Sequence, residues 1–249
     1  MIKLLDHGYV NFVESWGSDE RIIEAARMST NKGFQGWGTD ECNWNVLPTE
    51  PEEPKPCVKG LRGCDADHGD QKLLAYLYNN RHMTPFEMAG MVIEVQAPIM
   101  VFREWHRHRT QSYNEMSGRY TELPDLYYIP SIDRIQKQSK SNKQGSDEQF
   151  DEFNAKCHQS TIFGATRFAR DAYEQLLKDG VAREIARLVL PVNQYSRMRA
   201  SANLRNWLGF LELRMATGAQ WEIRQYANAV ATLIAEKFPR TYDLFMEGR

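Results

Sequence analysis

The sequence predicts an α+β protein with more helix than strand. Strand-like alternation of apolar and polar residues occurs in the N-terminal half, whereas the C-terminal half has the three-to-four-residue apolar spacing of helices. Strand patterns do not alternate with helix patterns and no internal repeat is visible, which disfavours a parallel sheet of βαβ units. At 249 residues the chain is long enough to bury a sizeable core.

Short strands and one helix are predicted at the N-terminus. Residues 2–5 and 9–14 have strand-like patterns around a turn at residues 6–8. Residues 18–28 have helical spacing, and Ser18 is of the residue type that caps a helix N-terminus.

Residues 31–70 are rich in Gly and Pro and predict a long irregular insertion, as either a mobile lid or a decoration. It contains Cys42, Cys57 and Cys64, which are metal-ligand candidates, but no CxxC pair is present. We therefore expect these cysteines and Cys157 to be free thiols in a reducing compartment.

The middle of the chain predicts helix, strand and helix. Residues 72–80 have helical spacing, and residues 91–97 alternate as a strand with one buried face. A second helix is predicted over 99–109, which would put Arg103 and Arg107 on the same face.

The remaining chain predicts a polar connector followed by helices. Residues 134–155 are polar, of mixed charge, and predict a flexible surface loop. Helical patterns follow over 165–176, 184–190, 202–215 and 220–238.

The overall composition restricts the class of protein. The net charge of -2 and the pI of about 6.3 disfavour a dedicated nucleic-acid-binding protein, which usually has a basic excess. The sequence has no apolar run of about 18 residues, so we expect no membrane span. The N-terminus lacks the pattern of a signal peptide, which favours a cytoplasmic location.

Residues 103–120 contain four arginines, two histidines and two glutamates. Arginine side chains match phosphate geometry in a bidentate way, and Ser117-Gly118 predicts a tight turn whose N–H groups can face an anion. Alternatively, Arg103 with Glu104 and Arg107 with Glu115 are solvated charge pairs on a surface helix. Small polar residues directly after the basic run favour a phosphate site.

The spacing of this segment resembles a family signature. Arg107-His108-Arg109, seven residues and then Ser117 resembles the RHR-x7-S motif of flavin-dependent thymidylate synthases. The resemblance extends in order over nearly the whole chain except 31–70 and about 134–155. Further blocks that resemble the family are residues 25–29, 82–87, 183–191, 203–214 and 220–223.

The resemblance implies a fold, a reaction and an assembly. Residues 1–249 would form a single domain, with helical layers around a small antiparallel sheet. The enzyme would methylate dUMP to dTMP with methylenetetrahydrofolate as carbon donor, FAD as hydride carrier and NADPH as reductant. It would be a homotetramer whose sites are shared between subunits, with neither a metal nor a nucleic-acid or membrane partner.

The family motifs also imply the residues that bind dUMP. Arg214 would be the catalytic residue, because a cation beside the uracil ring favours ionisation at N3. Arg187 and Arg214 lie in otherwise apolar segments, where a buried arginine needs an anionic partner or ligand. The full dUMP set is Glu104, Trp105, His106, Arg107, Glu115, Met116, Ser117, Gly118, Arg119, Arg187 and Arg214.

A second set of residues would contact FAD. His82 would stack on the flavin ring, or be a packed histidine at a helix end. Thr84 would be a ligand, a helix cap before Pro85, or both. The full FAD set is Ser29, His82, Thr84, Glu87, Arg107, His108, Arg109, Glu115, Asn203, Arg205 and Gly209.

Two residues depart from the family pattern. Glu104 stands where relatives often have Gln, so its carboxylate would weaken phosphate binding, be protonated or pair with Arg103. Gly209 stands where relatives often have Asn or His near the flavin. Two other functions remain open: a nucleotide- or RNA-binding module that uses the basic run, and a flavoprotein oxidase or reductase without methyl transfer.

Overall fold

The computed structural model describes residues 1–37, 69–141 and 143–249. Most of the predicted insertion at 31–70 lies outside the described residues, and so do Cys42, Cys57 and Cys64. Within the described residues, Cys157 is a free, exposed thiol.

The strands of the described residues form a five-stranded sheet and a separate two-stranded hairpin. The five strands lie in the order β1-β2-β3-β7-β4, and the β1–β2 and β4–β7 pairs are antiparallel. The hairpin is β5–β6. The strands are β1 (Ile2–Leu4), β2 (Gly8–Trp16), β3 (Gly90–Pro98), β4 (Ser112–Glu115), β5 (Gln136–Gln138), β6 (Ser146–Gln149) and β7 (Tyr195–Asn203).

Eight α-helices lie in the described part of the chain, which confirms the predicted α+β class. None of them is long and apolar enough to cross a membrane. The helices are α1 (Asp19–Arg27), α2 (Asp70–Asn79), α3 (Ile99–Trp105), α4 (Glu152–Lys178), α5 (Arg183–Ala186), α6 (Leu204–Arg214), α7 (Trp221–Lys237) and α8 (Pro239–Glu247).

The chain divides into two compact units, each with its own buried aromatic core. The first unit comprises Met1–Glu14, Val92–Ala202 and Gly209–Thr232, and its fully buried side chains include Trp105, Phe210 and Tyr226. The second unit comprises Ser15–Met91, Asn203–Leu208 and Leu233–Arg249, and its fully buried side chains include Phe86, Trp207 and Phe238.

Two predicted elements are confirmed in detail. The hydroxyl of Ser18 accepts the N–H of Arg21 at 3.3 Å and caps α1. In β3, Ile93 and Val95 are fully buried while the intervening residue Glu94 is partly exposed, as the alternating pattern predicted.

The predicted helix over 99–109 is too long, because α3 ends at Trp105. The hydroxyl of Tyr113 donates to the carbonyls of Trp105 (3.1 Å) and His108 (2.8 Å) and holds the following residues as a turn. Arg103 and Arg107 therefore do not share a helix face.

The prediction missed β7 and began α6 too early, at residue 202. The signal was present, since Met198 and Ala200 are buried whereas Arg197 and Arg199 are exposed. Small residues such as Ser and Ala have low strand propensity, and neighbouring strands decide their conformation.

The loop predicted over 134–155 contains regular structure. It forms the β5–β6 hairpin, and α4 begins at Glu152 with the Asp151 carboxylate accepting the N–H of Asn154 at 2.9 Å. The Gln138 amide donates to the carbonyls of Lys143 and Gly145, so polar side chains support the hairpin turn. Polar composition reports exposure to water, which is compatible with a hairpin as well as with a loop.

Candidate functional site

The basic motif of the first unit ends in a tight turn. β4 pairs with β7, and beyond it the N–H of Met116 donates to the carbonyl of Arg197 at 2.8 Å. The Ser117 hydroxyl accepts the N–H of Arg119, and the Ser117 carbonyl accepts the N–H of Tyr120 at 3.0 Å. The tight turn predicted at Ser117-Gly118 is therefore confirmed.

Arg187 lies directly against this turn. A Cβ atom added to the buried Gly118 would stand 3.3 Å from Cδ of Arg187. Arg187 begins a short 3-10 turn, Arg187–Val189, and its side chain is exposed, so the expectation of a buried arginine in an apolar helix is wrong. Nearby in sequence, Glu184 pairs with Arg119 at 3.3 Å between Oε2 and Nε. Arg119 on the turn and Arg187 beside it were both predicted to bind dUMP, and the structure brings them to the same turn.

Arg214, the last residue of α6, is held by three hydrogen bonds. Its Nε donates to Nε2 of His108 (2.9 Å), its Nη1 to Oε2 of Glu104 (2.7 Å) and its Nη2 to the Glu104 carbonyl (2.9 Å). The Arg214 side chain is only 15% exposed, and such a cation needs an anionic partner. The Glu104 carboxylate is that partner.

This pairing gives Glu104 a role that the sequence did not predict. The structure pairs its carboxylate with Arg214, which is distant in sequence, and the predicted partner Arg103 is exposed. Glu104 lies on α3, so the pair joins the end of α3 to the end of α6 within the first unit.

His108 is neutral in this arrangement. Burial, reinforced by the neighbouring Arg214 guanidinium, lowers the pKa of His108 from its ordinary 6.5 to about 4, although Glu104 acts in the opposite direction. The Nε2 atom accepts the hydrogen bond from Arg214, so the ring proton is on Nδ1. The Phe210 ring and the imidazole pack edge to face, with their ring centroids 4.9 Å apart.

We expect His108 to make the protein acid-labile below pH 6.5. As pH falls, the unfolded chain takes up this proton near 6.5, whereas the folded chain takes it up only near 4. The stabilising contribution of neutral His108 is therefore complete above pH 6.5 and is lost progressively as pH falls through 4. Urea unfolding between pH 4 and 7 measures this.

A matched pair of variants tests the assignment. His108→Gln should flatten this part of the pH dependence, whereas His158→Gln, at an exposed position of α4, should keep the parent profile. Equal slopes in the parent and His108→Gln would show that another group causes the acid loss.

Glu104 and Arg214 line a cavity of about 800 Å³ in the first unit. The β5–β6 hairpin and the start of α7 form its other walls. These walls were not predicted, because the polar sequence of the hairpin indicated a loop. Among the missed lining residues are Arg134, Gln136, Gln138, Gln144 and Arg224. The Nε atom of Arg224 is buried without a hydrogen-bond partner.

The other predicted dUMP residues are divided between core and surface. Trp105 is fully buried, with its indole stacked on Phe210 at 4.6 Å and bonded to Gln111, so this residue supports the site from the core. The His106 ring packs against Phe102 and Tyr113. The side chains of Arg107, Glu115 and Arg119 are exposed. The FAD candidate Arg109 is exposed as well.

In the second unit, four predicted FAD residues line one cavity of about 560 Å³: Ser29, His82, Thr84 and Arg205. A fifth polar residue of this cavity, Arg81, was not predicted from the sequence, and its backbone has a left-handed φ of 57°. Non-glycine residues in this conformation are uncommon and concentrate at functional sites, but only the structure reveals it.

Neighbouring residues orient this cavity wall. Oε1 of Glu87 pairs with Nη1 of Arg205 at 2.5 Å. Oδ1 of Asn203 accepts the N–H of Asn206 at 3.0 Å, so Asn203 is bonded to the first turn of α6. The His82 ring contacts the Tyr76 ring edge-on at 5.6 Å.

The remaining FAD candidates, Arg107, His108, Arg109, Glu115 and Gly209, belong to the first unit. A Cβ atom added to Gly209 would have no neighbour within 4 Å, so a larger side chain would meet open space there. Among the described residues, no group of three or more His, Cys, Asp or Glu side chains is arranged to hold a metal ion.

Comparisons with known proteins agree on one family. The model of the thymidylate synthase complementing protein family matches residues 11–240. A flavin-dependent thymidylate synthase of Thermus thermophilus is 39% identical over 246 residues, covering 99% of this chain and 78% of that protein. One of Wolbachia pipientis is 36% identical over 245 residues, covering 98% of this chain and 76% of that protein.

Solved structures extend the likeness to three dimensions. The crystal structure of the UMP/dUMP methylase PolB from Streptomyces cacaoi, bound with 5-Br UMP, is similar with a TM-score of 0.76 and 31% identity. The match covers 99% of this chain and 96% of that chain. Together with the RHR-x7-S motif, whose Ser117 forms the turn beside Arg187, these matches show that the chain belongs to the flavin-dependent thymidylate synthase family.

Proposed function

We propose that this protein methylates dUMP to dTMP, with methylenetetrahydrofolate as carbon donor, FAD as hydride carrier and NADPH as reductant. The observation that carries the proposal is Arg214, fixed by Glu104 and His108 at the wall of a large polar cavity. Membership of the family supports the reaction class, and PolB is a dUMP methylase of similar fold.

The phosphate of dUMP would bind at the turn after β4. Arg187 lies against Gly118, and Arg119 projects from the same turn into solvent. Guanidinium groups offer paired N–H donors to phosphate oxygens, and Ser117 adds a hydroxyl. Arg107, whose exposed side chain lies two residues beyond the end of α3, would complete this group.

The uracil ring would face Arg214. A guanidinium has five N–H donors, and three of those of Arg214 are used within the protein. Two remain, one on Nη1 and one on Nη2, and they can donate to the ring and stabilise negative charge that develops on it. No thiolate nucleophile is required in this scheme, and Cys157 lies exposed on α4.

The cavity of the second unit has a donor set that fits part of FAD. Ser29 and Thr84 provide hydroxyls, His82 an aromatic ring, and Arg81 and Arg205 guanidinium groups for a diphosphate. FAD held there would supply the hydride. The Glu87 carboxylate would keep the Arg205 side chain extended along the cavity.

We also propose that the protein is a homotetramer with sites shared between subunits. The exposed apolar side chains of the first unit support this proposal. Phe168 on α4 is 78% exposed and Leu188 is 74% exposed. Phe163, Ile185 and Val192 are also more than half exposed. α4 packs against α5 and the 3-10 turn Arg187–Val189, which brings these side chains into one region. Large exposed apolar patches commonly mark protein–protein contacts.

Phe168→Glu is expected to shift the protein towards smaller species, because a carboxylate cannot be buried unpaired in an apolar contact. Sedimentation velocity measures the effect. Lys156→Glu, at an exposed polar position of the same helix, is the control and should leave the mass unchanged. An unchanged mass for Phe168→Glu would remove α4 from the proposed interface.

The decisive test of the reaction is reconstitution. Purified protein should bind FAD, its flavin absorbance should bleach with NADPH, and dTMP should form only when dUMP and methylenetetrahydrofolate are both present. NADPH consumption that does not depend on the folate would favour a reductase. RNA binding without flavin uptake would favour a binding module, and either result would overturn the proposal.

A further inference from the structure

We propose that Glu104 is a positioning residue that fixes Arg214 and offsets its positive charge, so that the site binds the uracil ring in its neutral form. The inference rests on the proposed function, because it concerns how Arg214 meets dUMP. It differs from the expectation that a cation beside the ring favours ionisation at N3, because here a carboxylate is bonded to that cation.

Geometry supports the positioning role. Glu104 contacts Arg214 twice, through Oε2 at 2.7 Å and through its backbone carbonyl at 2.9 Å. Together with Nε2 of His108, these contacts hold three points of a planar group and so define its plane. The backbone contact and the His108 contact remain in any Glu104 variant, whereas the carboxylate contact depends on this side chain.

The charges of the pair support the second part of the proposal, that Glu104 offsets the positive charge of Arg214. The Arg214 side chain is 15% exposed and that of Glu104 is 39% exposed, so the pair is only partly screened by water. A carboxylate disfavours a second negative charge nearby, and ionisation at N3 would place one on the ring. His108 is neutral and adds no charge.

Three other charged residues line the cavity: Asp133, Arg134 and Arg224. Asp133 and Arg224 carry opposite charges, and the parent protein and its Glu104 variants have both in common. Arg134 is paired with Glu222 at 2.8 Å between Nε and Oε1, so its positive charge is compensated by that carboxylate. Glu104 is the carboxylate bonded to Arg214, so its removal changes the charge that the ring meets there.

The test uses 5-fluoro-dUMP, whose fluorine makes N3 more acidic and reports ionisation by ¹⁹F NMR. The ligand is titrated with pH while bound to the FAD-loaded protein. In the parent protein the apparent pKa of N3 should stay at or above that of the free nucleotide. In Glu104→Gln, which keeps an acceptor for Nη1 but removes the charge, it should fall by about one unit or more.

Positioning is tested separately from charge. Glu104→Ala removes both the acceptor and the charge, and its kcat should fall about tenfold below that of Glu104→Gln, with a smaller change in KM. Glu212→Gln, at an exposed position of α6, is the matched control and should leave both the bound pKa and kcat unchanged.

The outcomes are distinguishable. Equal N3 pKa values in the parent and Glu104→Gln would overturn the charge role, and equal kcat values in Glu104→Ala and Glu104→Gln would overturn the positioning role. In either case nucleotide binding and dTMP formation by the parent protein would still support the proposed reaction. Failure of the parent protein to bind 5-fluoro-dUMP would instead overturn the proposed function itself.

Discussion

Replacing Arg214 by Ala is expected to lower dTMP formation by about 10²- to 10³-fold while flavin binding is retained. The guanidinium is held rigidly by Glu104 and His108, so its two remaining N–H groups need no reorganisation during the reaction. Preorganised donors of this kind contribute mainly to the transition state, and the loss should therefore fall on kcat.

A second variant separates charge from geometry. Arg214→Lys keeps a positive charge but cannot make three divergent hydrogen bonds while facing the ring, so its kcat should stay well below that of the parent protein. Flavin absorbance and thermal unfolding show whether each variant is folded and loaded. Full turnover in a folded Arg214→Ala protein would remove Arg214 from the reaction.

The local part of this site could be predicted from the sequence. Ser117-Gly118 forms the expected turn because its hydrogen bonds join residues two to four positions apart, as in the contact of the Ser117 carbonyl with Tyr120. The strand of Ile93 and Val95 was equally accessible, since one buried face produces simple alternation. Short-range patterns of this kind are determined by neighbouring residues.

Contacts between distant residues could not be predicted. Nothing near Glu104 indicates that its partner is Arg214 rather than the adjacent Arg103, because only the packing of α3 and α6 brings the pair together. The same holds for the wall of the cavity around Gln136 and Gln138, whose polar sequence suits a loop and a hairpin equally. Arg81 is similar, because its left-handed backbone leaves no signal in composition.

Asp70 was predicted as the end of an irregular insertion, but the structure makes it a fully buried first residue of α2. Its carboxylate accepts Nε of Arg27 at 2.8 Å, a second hydrogen bond from Nη2 of Arg27, and the N–H of Gln35 at 2.6 Å. Three donors converge on a buried anion at the start of a helix, where the helix dipole also favours negative charge.

Asp70→Ala is therefore expected to lower the free energy of unfolding by about 3–5 kcal/mol, because it leaves the guanidinium of Arg27 unpaired with a side chain only 16% exposed. Urea unfolding measures the loss. Asp171→Ala removes a carboxylate that is 68% exposed and lies 3.6 Å from Arg167, and it should cost less than about 1 kcal/mol.

The same substitution should also weaken flavin binding. Arg27 ends α1 two residues before Ser29, and α2 carries Leu77, which lines the same cavity as Ser29 and His82. Once the Asp70–Arg27 pair is lost, both chain segments are less constrained, and ordering them must then reduce the binding free energy. Asp70→Asn, which keeps the shape but not the charge, should show an intermediate effect on both measurements. If stability falls in Asp70→Ala while flavin affinity stays at the parent value, then the pair supports the fold of the second unit without shaping this cavity.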